Sequence, residues 1–167
     1  MEKEIGRGDN LRSFIFGVED SLVSTVGLVS GIASVGAPKD VILLTGIVLI
    51  FVEAFSMAAG SLLSENSVHE FRTQKEVPLA RSFFSSLIMF FSYFISGFIV
   101  IIPYLLFSIA TAFVYSIVVS LVALFILGMI SARFSGLSML KKGLTMALIG
   151  GTAILIGVLV GSFVHNI

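Results

Sequence analysis

Between Ser82 and Ala132 the chain runs for 51 residues without Asp, Glu, Lys, Arg or His. One bilayer crossing needs about 20 apolar residues. As a single straight helix the run would extend roughly 77 Å, so it must cross, reverse and cross again. Pro103 marks the reversal, because proline has no N–H to donate and disfavours helix in the residue before it. The turn is expected between Pro103 and Thr111. With 57% hydrophobic and only 12% charged residues, against roughly 25% charged in a soluble domain, the whole chain reads as a membrane protein.

The same length argument predicts five helical spans: Phe14 to Val35, Val41 to Leu63, Arg81 to about Leu106, about Ala110 to Ala132, and Leu144 to Val164. The expected fold is therefore an all-α integral membrane protein forming one domain over residues 1–167. The longest polar connection, residues 64–80, has 17 residues, too few for a separate soluble domain. The opening MEKEIGRGDNLRS is mixed in charge and leads into a span with internal carboxylates. That is a poor signal peptide, so the N-terminus is expected to be retained.

Basic residues give the orientation. Lys3, Arg7, Arg12, Arg72, Lys75, Arg81, Arg133, Lys141 and Lys142 all fall on one side of a five-span arrangement, and Lys39 alone falls on the other. By the positive-inside rule the N-terminus is cytoplasmic and the C-terminus, with His165, lies on the far side. Zero cysteines exclude disulfides and thiolate metal sites. The chain has no P-loop, GxSxG or HExxH motif, so neither ATP-driven nor hydrolytic chemistry has a seat and no enzyme is expected.

Against this apolar background each carboxylate needs a reason. Glu53 is the thirteenth of 23 residues in its span, near the bilayer midplane, where insertion scales put a charge at about +2.5 to +3.5 kcal/mol. Such groups face a bundle interior or an aqueous pathway. The structural alternative is a protonated Glu53 bonded to a neighbouring helix. Met57 lies one turn on and shares its face. A methionine alone is ordinary packing, but a thioether beside a carboxylate favours a transition metal over Mg2+ or Ca2+.

Glu19 and Asp20 admit two readings. Asp20 caps a helix that begins at Ser21, since acids are favoured at N-caps and in first turns; or the helix starts near Leu11 and Asp20 points inward with Ser24, Gly27 and Gly31. Gly27 and Gly31 form a small-residue pair that permits close helix approach, and the helix carrying Glu53 is a candidate neighbour. Two carboxylates on adjacent helices would make a cation or proton site. In the connection SENSVHEFRTQKEVPLA, which also holds Glu70 and Glu76, Glu65 and His69 are one turn apart if the second helix continues, and the two suggest a weak, wet metal-capture site. The competing reading is a solvated helical extension balanced by Arg72 and Lys75. Gly157 and Gly161 are expected to be packing glycines in the last span.

Several segments together resemble the vacuolar iron transporter family: GVEDSLVSTVGLVSGIASVG its first helix, VEAFSMAAGSLLSENSVHE its second, FFSYFISGFIVIIPYLLF its third, VALFILGMISARFSG its fourth and KKGLTMALIGGTAILIGVLVGSFV its fifth. The resemblance covers roughly residues 14–164. It implies a homodimeric transporter that moves Fe2+ or Mn2+ out of the cytoplasm in exchange for protons. Asp20 falls on the family's first-helix aspartate and Met57 on its second-helix methionine. Glu53 lies one turn beyond the family's second-helix glutamate position, which is Leu49 here. Ser21 stands where glycine is usual, Glu19 where a small polar residue is usual, and Ser61 where many prokaryotic members carry glutamate. The glutamate-rich cytoplasmic metal-binding domain of vacuolar members is missing.

The resulting expectation is a metal/proton antiporter with Asp20, Glu53 and Met57 as metal ligands, and with Glu19, Glu65, His69 and Glu70 as secondary candidates. The metal is cargo and protons are the coupling ion, so no resident cofactor is expected. Expected partners are membrane lipid, the divalent metal and a second copy of the chain, with no nucleic acid. A prokaryotic plasma membrane suits the short form, and a vacuolar or other endomembrane is the alternative. The rival function is a non-transporting assembly or metal-sensing module on the same scaffold.

Overall fold

A computed structural model describes residues 2–166, except for the side chains of residues 2–7 and Arg81. Five helices account for almost all of it: α1 Glu2–Ser34, α2 Lys39–Thr73, α3 Ala80–Leu106, α4 Ile109–Ser135 and α5 Met139–His165. All five are long and apolar enough to cross a membrane. The predicted reversal is a two-residue break at Phe107 and Ser108. Pro103 sits inside the last turn of α3, and its carbonyl accepts the N–H of Phe107.

The helices outrun the predicted spans, most of all at the ends of α1 and α2. Absence of charge defines how much chain hydrocarbon tolerates, whereas backbone hydrogen bonding continues into water. One consequence is decisive for Asp20: α1 is continuous from Glu2, so Asp20 lies deep within a helix and caps nothing. The polar connection likewise shrinks, because α2 runs to Thr73 and leaves only residues 74–79 outside helices.

α1, α3 and α5 run one way and α2 and α4 the other. Ser13 meets Ser85 and Ser21 meets Tyr93, which makes α1 and α3 parallel. Ser13 meets Glu65 while Val29 meets Gly46, which makes α1 and α2 antiparallel. Half of the most apolar stretch of α1 and of α3 is buried, against 11% of that of α5, so the first two form the spine and the others pack around it. Leu22, Val26 and Val29 of α1 meet Ile42 and Ile50 of α2, Val100 and Ile101 of α3 and Leu124 of α4 in a fully buried core. Outward-facing residues such as Phe55, Phe84 and Leu148 are 63–70% exposed, a surface suited to hydrocarbon chains.

The glycine pair of α1 closes against α5, which corrects the expected approach to the Glu53 helix. A Cβ placed on Gly31 would lie 2.5 Å from the Gly157 carbonyl oxygen, and one on Gly161 would strike the Gly31 carbonyl. Bare backbone surfaces therefore touch along this seam, as close packing without a side-chain layer requires. The roles expected for Gly157 and Gly161 hold. Lys39, the one basic residue on the opposite side, donates to the Leu105 and Phe107 carbonyls at 3.3 and 3.2 Å. It satisfies the free C-terminal carbonyls of α3.

Candidate metal pathway

Asp20 and Glu53 come together from α1 and α2, within Coulombic range of each other. Both are half-buried. Glu19 lies within Coulombic range of Lys142, near the start of α5, as well as of Asp20. Met57 is half-buried one turn from Glu53, so the carboxylates and the thioether lie along one side of the α1/α2 junction.

The turn of α1 that carries Asp20 is clamped to α3. The hydroxyl of Ser21, fully buried, donates to the Tyr93 carbonyl at 2.6 Å, and Ser24 Oγ lies 2.7 Å from the Tyr93 hydroxyl. Tyr93 itself is fully buried and within Coulombic range of both Asp20 and Glu53. Packing is tight on either side: a Cβ on Gly17 would sit 3.0 Å from Met89 O, and one on Gly97 would meet Ile50 and Ser21. Sequence reasoning missed Tyr93. The legible signal was the serine spacing of α3, where Ser82, Ser85, Ser92 and Ser96 recur every three to seven residues on one buried face.

The secondary candidates separate. Glu65 is 6% exposed and faces inward, contrary to the expected wet position. Its Oε1 accepts from Ser85 Oγ at 2.8 Å and from Ser61 Oγ at 3.2 Å, and Ser13 Oγ lies 3.4 Å from it and 2.7 Å from Ser85 Oγ. The helix continues as expected, but its inward face meets α1 and α3 at this level and buries the carboxylate. His69 lines a polar pocket of about 120 Å3 with Asp9, Arg12, Ser64, Glu65, Val68 and Arg72. Glu70 turns away. It accepts from Asn66 Nδ2 at 3.0 Å and from the Val77 N–H at 3.5 Å, fastening the 74–79 link to the end of α2.

Among the described residues no three His, Asp or Glu side chains stand close enough together to hold a metal ion. At the α1/α2 junction one chain places two carboxylates, Asp20 and Glu53, and the Met57 thioether one turn further along α2.

These helices define a multi-pass integral membrane protein with a buried polar seam. The sequence profile of the VIT family, the vacuolar iron transporters, matches residues 11–77 and 68–162, and the chain belongs to that family. The family consists of transporters of metal ions and not of enzymes. No curated protein matches the chain significantly.

Proposed function

We propose that the protein exports Fe2+ or Mn2+ from the cytoplasm in exchange for protons, with Asp20, Glu53 and Met57 as the cargo's ligands. The observation that carries this reading is the convergence of Asp20 and Glu53 from two helices at mid-depth. An unneutralised pair of carboxylates is costly in a bilayer, and a divalent cation or protons remove that cost. Met57 adds a soft donor, which ranks transition metals above Mg2+ and Ca2+.

Competition between metal and proton for the same oxygens supplies the coupling. Deprotonated carboxylates take the cation from the cytoplasmic side, and protons arriving from an acidic far side displace it. The basic end of the bundle, where α1, α3 and α5 begin, is assigned to the cytoplasm by the positive-inside rule. The protein acts as a homodimer on this reading, because three ligands leave the coordination sphere incomplete and a second copy brings three more. Nothing but membrane lipid is required as a further partner.

Proteoliposomes carrying a pH-sensitive dye test this directly. Mn2+ or Fe2+ flux should move protons the opposite way and should be lost in Asp20→Asn and Glu53→Gln. Dissipation of a metal gradient without proton movement would indicate a channel. No flux from well-reconstituted protein would favour the non-transporting module.

A further inference from the structure

Along α2, Glu53, Met57, Ser61, Glu65 and His69 recur at intervals of four residues, placing a carboxylate, a thioether, a hydroxyl, a second carboxylate and an imidazole in one slowly turning stripe. The stripe extends about 24 Å along the helix axis, from mid-depth to the basic end. Only its inner part belongs to the pathway proposed above. The outer part has its own geometry. Glu65 is 6% exposed and caged by three hydroxyls contributed by α1, α2 and α3. It also forms part of the wall of the polar pocket that contains Asp9 and His69.

We propose that Glu65, with Ser13, Ser61 and Ser85, is a second cation-binding station of the pathway, which takes a divalent metal from the Asp9/His69 pocket and passes it toward Met57 and Glu53. This deepens the metal-transport reading and rests on it. Three features carry the assignment. A helix clasp needs no charge, since an amide at position 65 would receive the same hydroxyls without burying a carboxylate. Hydroxyls also suit both states of a transit site. Ser61 and Ser85 each donate a proton to Glu65 when no cation is present, and all three hydroxyls offer lone pairs once a cation takes the carboxylate, so the buried carboxylate is satisfied throughout. Because Ser85 spends its single proton on Glu65, Ser13 donates to Ser85, and the cage is a directed chain, Ser13 to Ser85 to Glu65, with Ser61 as an independent second donor.

The pocket has the size and chemistry of a vestibule. Its volume of about 120 Å3 admits a cation with a few waters, each occupying about 30 Å3. Asp9 and His69 supply an oxygen and a nitrogen donor, while Arg12 and Arg72 share the wall and oppose permanent capture. Fast loading and release follow, as a relay needs. The station lies eight residues from Met57, about 12 Å along α2, so cargo passes from one station to the next.

The test is equilibrium binding of Mn2+ to the purified full-length protein, read from the electron paramagnetic resonance signal of free Mn2+, with proteoliposome flux measured in parallel. Glu65→Gln should remove one class of Mn2+ sites that Asp20→Asn retains, and should raise the Mn2+ concentration for half-maximal flux at the basic end. Ser61→Ala and Ser85→Ala keep the carboxylate but lose a supporting hydroxyl, and should weaken the same class about tenfold. A Glu65→Gln isotherm superimposable on that of the native chain overturns the proposal. If Glu65→Gln does not fold, the two serine variants decide: unchanged Mn2+ affinity in both overturns it. Native protein that binds Mn2+ in two classes yet carries no flux defeats the transport reading and leaves the station standing.

Discussion

The Tyr93 hydroxyl lies 2.7 Å from Ser24 Oγ, joining α3 to α1 one turn beyond Asp20. Hydrogen bonds between membrane helices average about 0.6 kcal/mol, so Tyr93→Phe should lower stability by about that amount. Ser24→Ala should cost the same, and the double variant should cost no more than either single change. Thermal unfolding in detergent across this cycle checks the bond, and additive losses would show that the two groups do not interact.

The α1/α5 seam gives a sharper contrast. Gly157→Val places a Cβ against the Gly27 carbonyl, backbone that has nowhere to go, and overpacking of this kind costs about 1–3 kcal/mol or more. Gly151 lies on the same helix with nothing within 4 Å of an added Cβ. Gly151→Ala should therefore stabilise by about 0.5–1 kcal/mol, the usual helix gain. Size-exclusion profiles and unfolding temperatures of the two variants should move in opposite directions.

Metal preference should depend on Met57. Met57→Leu keeps the apolar volume and removes the sulfur, so Fe2+ should lose its advantage over Mg2+ and Ca2+ more than Mn2+ does. Competition of each cation against Mn2+ flux in proteoliposomes measures the order. An unaltered ranking would make Met57 packing alone.

Glu70 fastens the 74–79 link through Asn66 and the Val77 N–H. Glu70→Ala should free that segment, and exposed, untethered loops are where proteases cut. Limited proteolysis of proteoliposomes should cleave the variant faster within 74–79, from the face to which the basic end is exposed. Cleavage by protease added outside to vesicles of known orientation therefore also reports the topology.

The outline of the bundle was legible from the chain because hydrocarbon imposes one simple rule, that a charged residue cannot sit in it cheaply. The 51-residue uncharged run, the spacing of the remaining charges and Pro103 together implied five helices and the break after Leu106. Hydropathy says nothing about where a helix ends in water, which is why α1 and α2 proved longer than their spans, and why Asp20 had two readings until the helix was seen to begin at Glu2. Nor does a helix pattern identify its neighbour: Gly27 and Gly31 announced a close contact, and only packing selected α5. Glu65 shows the same limit most clearly. Its polar surroundings in sequence suggested a solvated surface, but two of the three serines that enclose it come from positions 52 residues before and 20 after. Local sequence determined which helices form and which residues are costly in a membrane. The tertiary structure decided which of those residues meet, because a hydrogen-bonding partner for a buried carboxylate is chosen by distance in space.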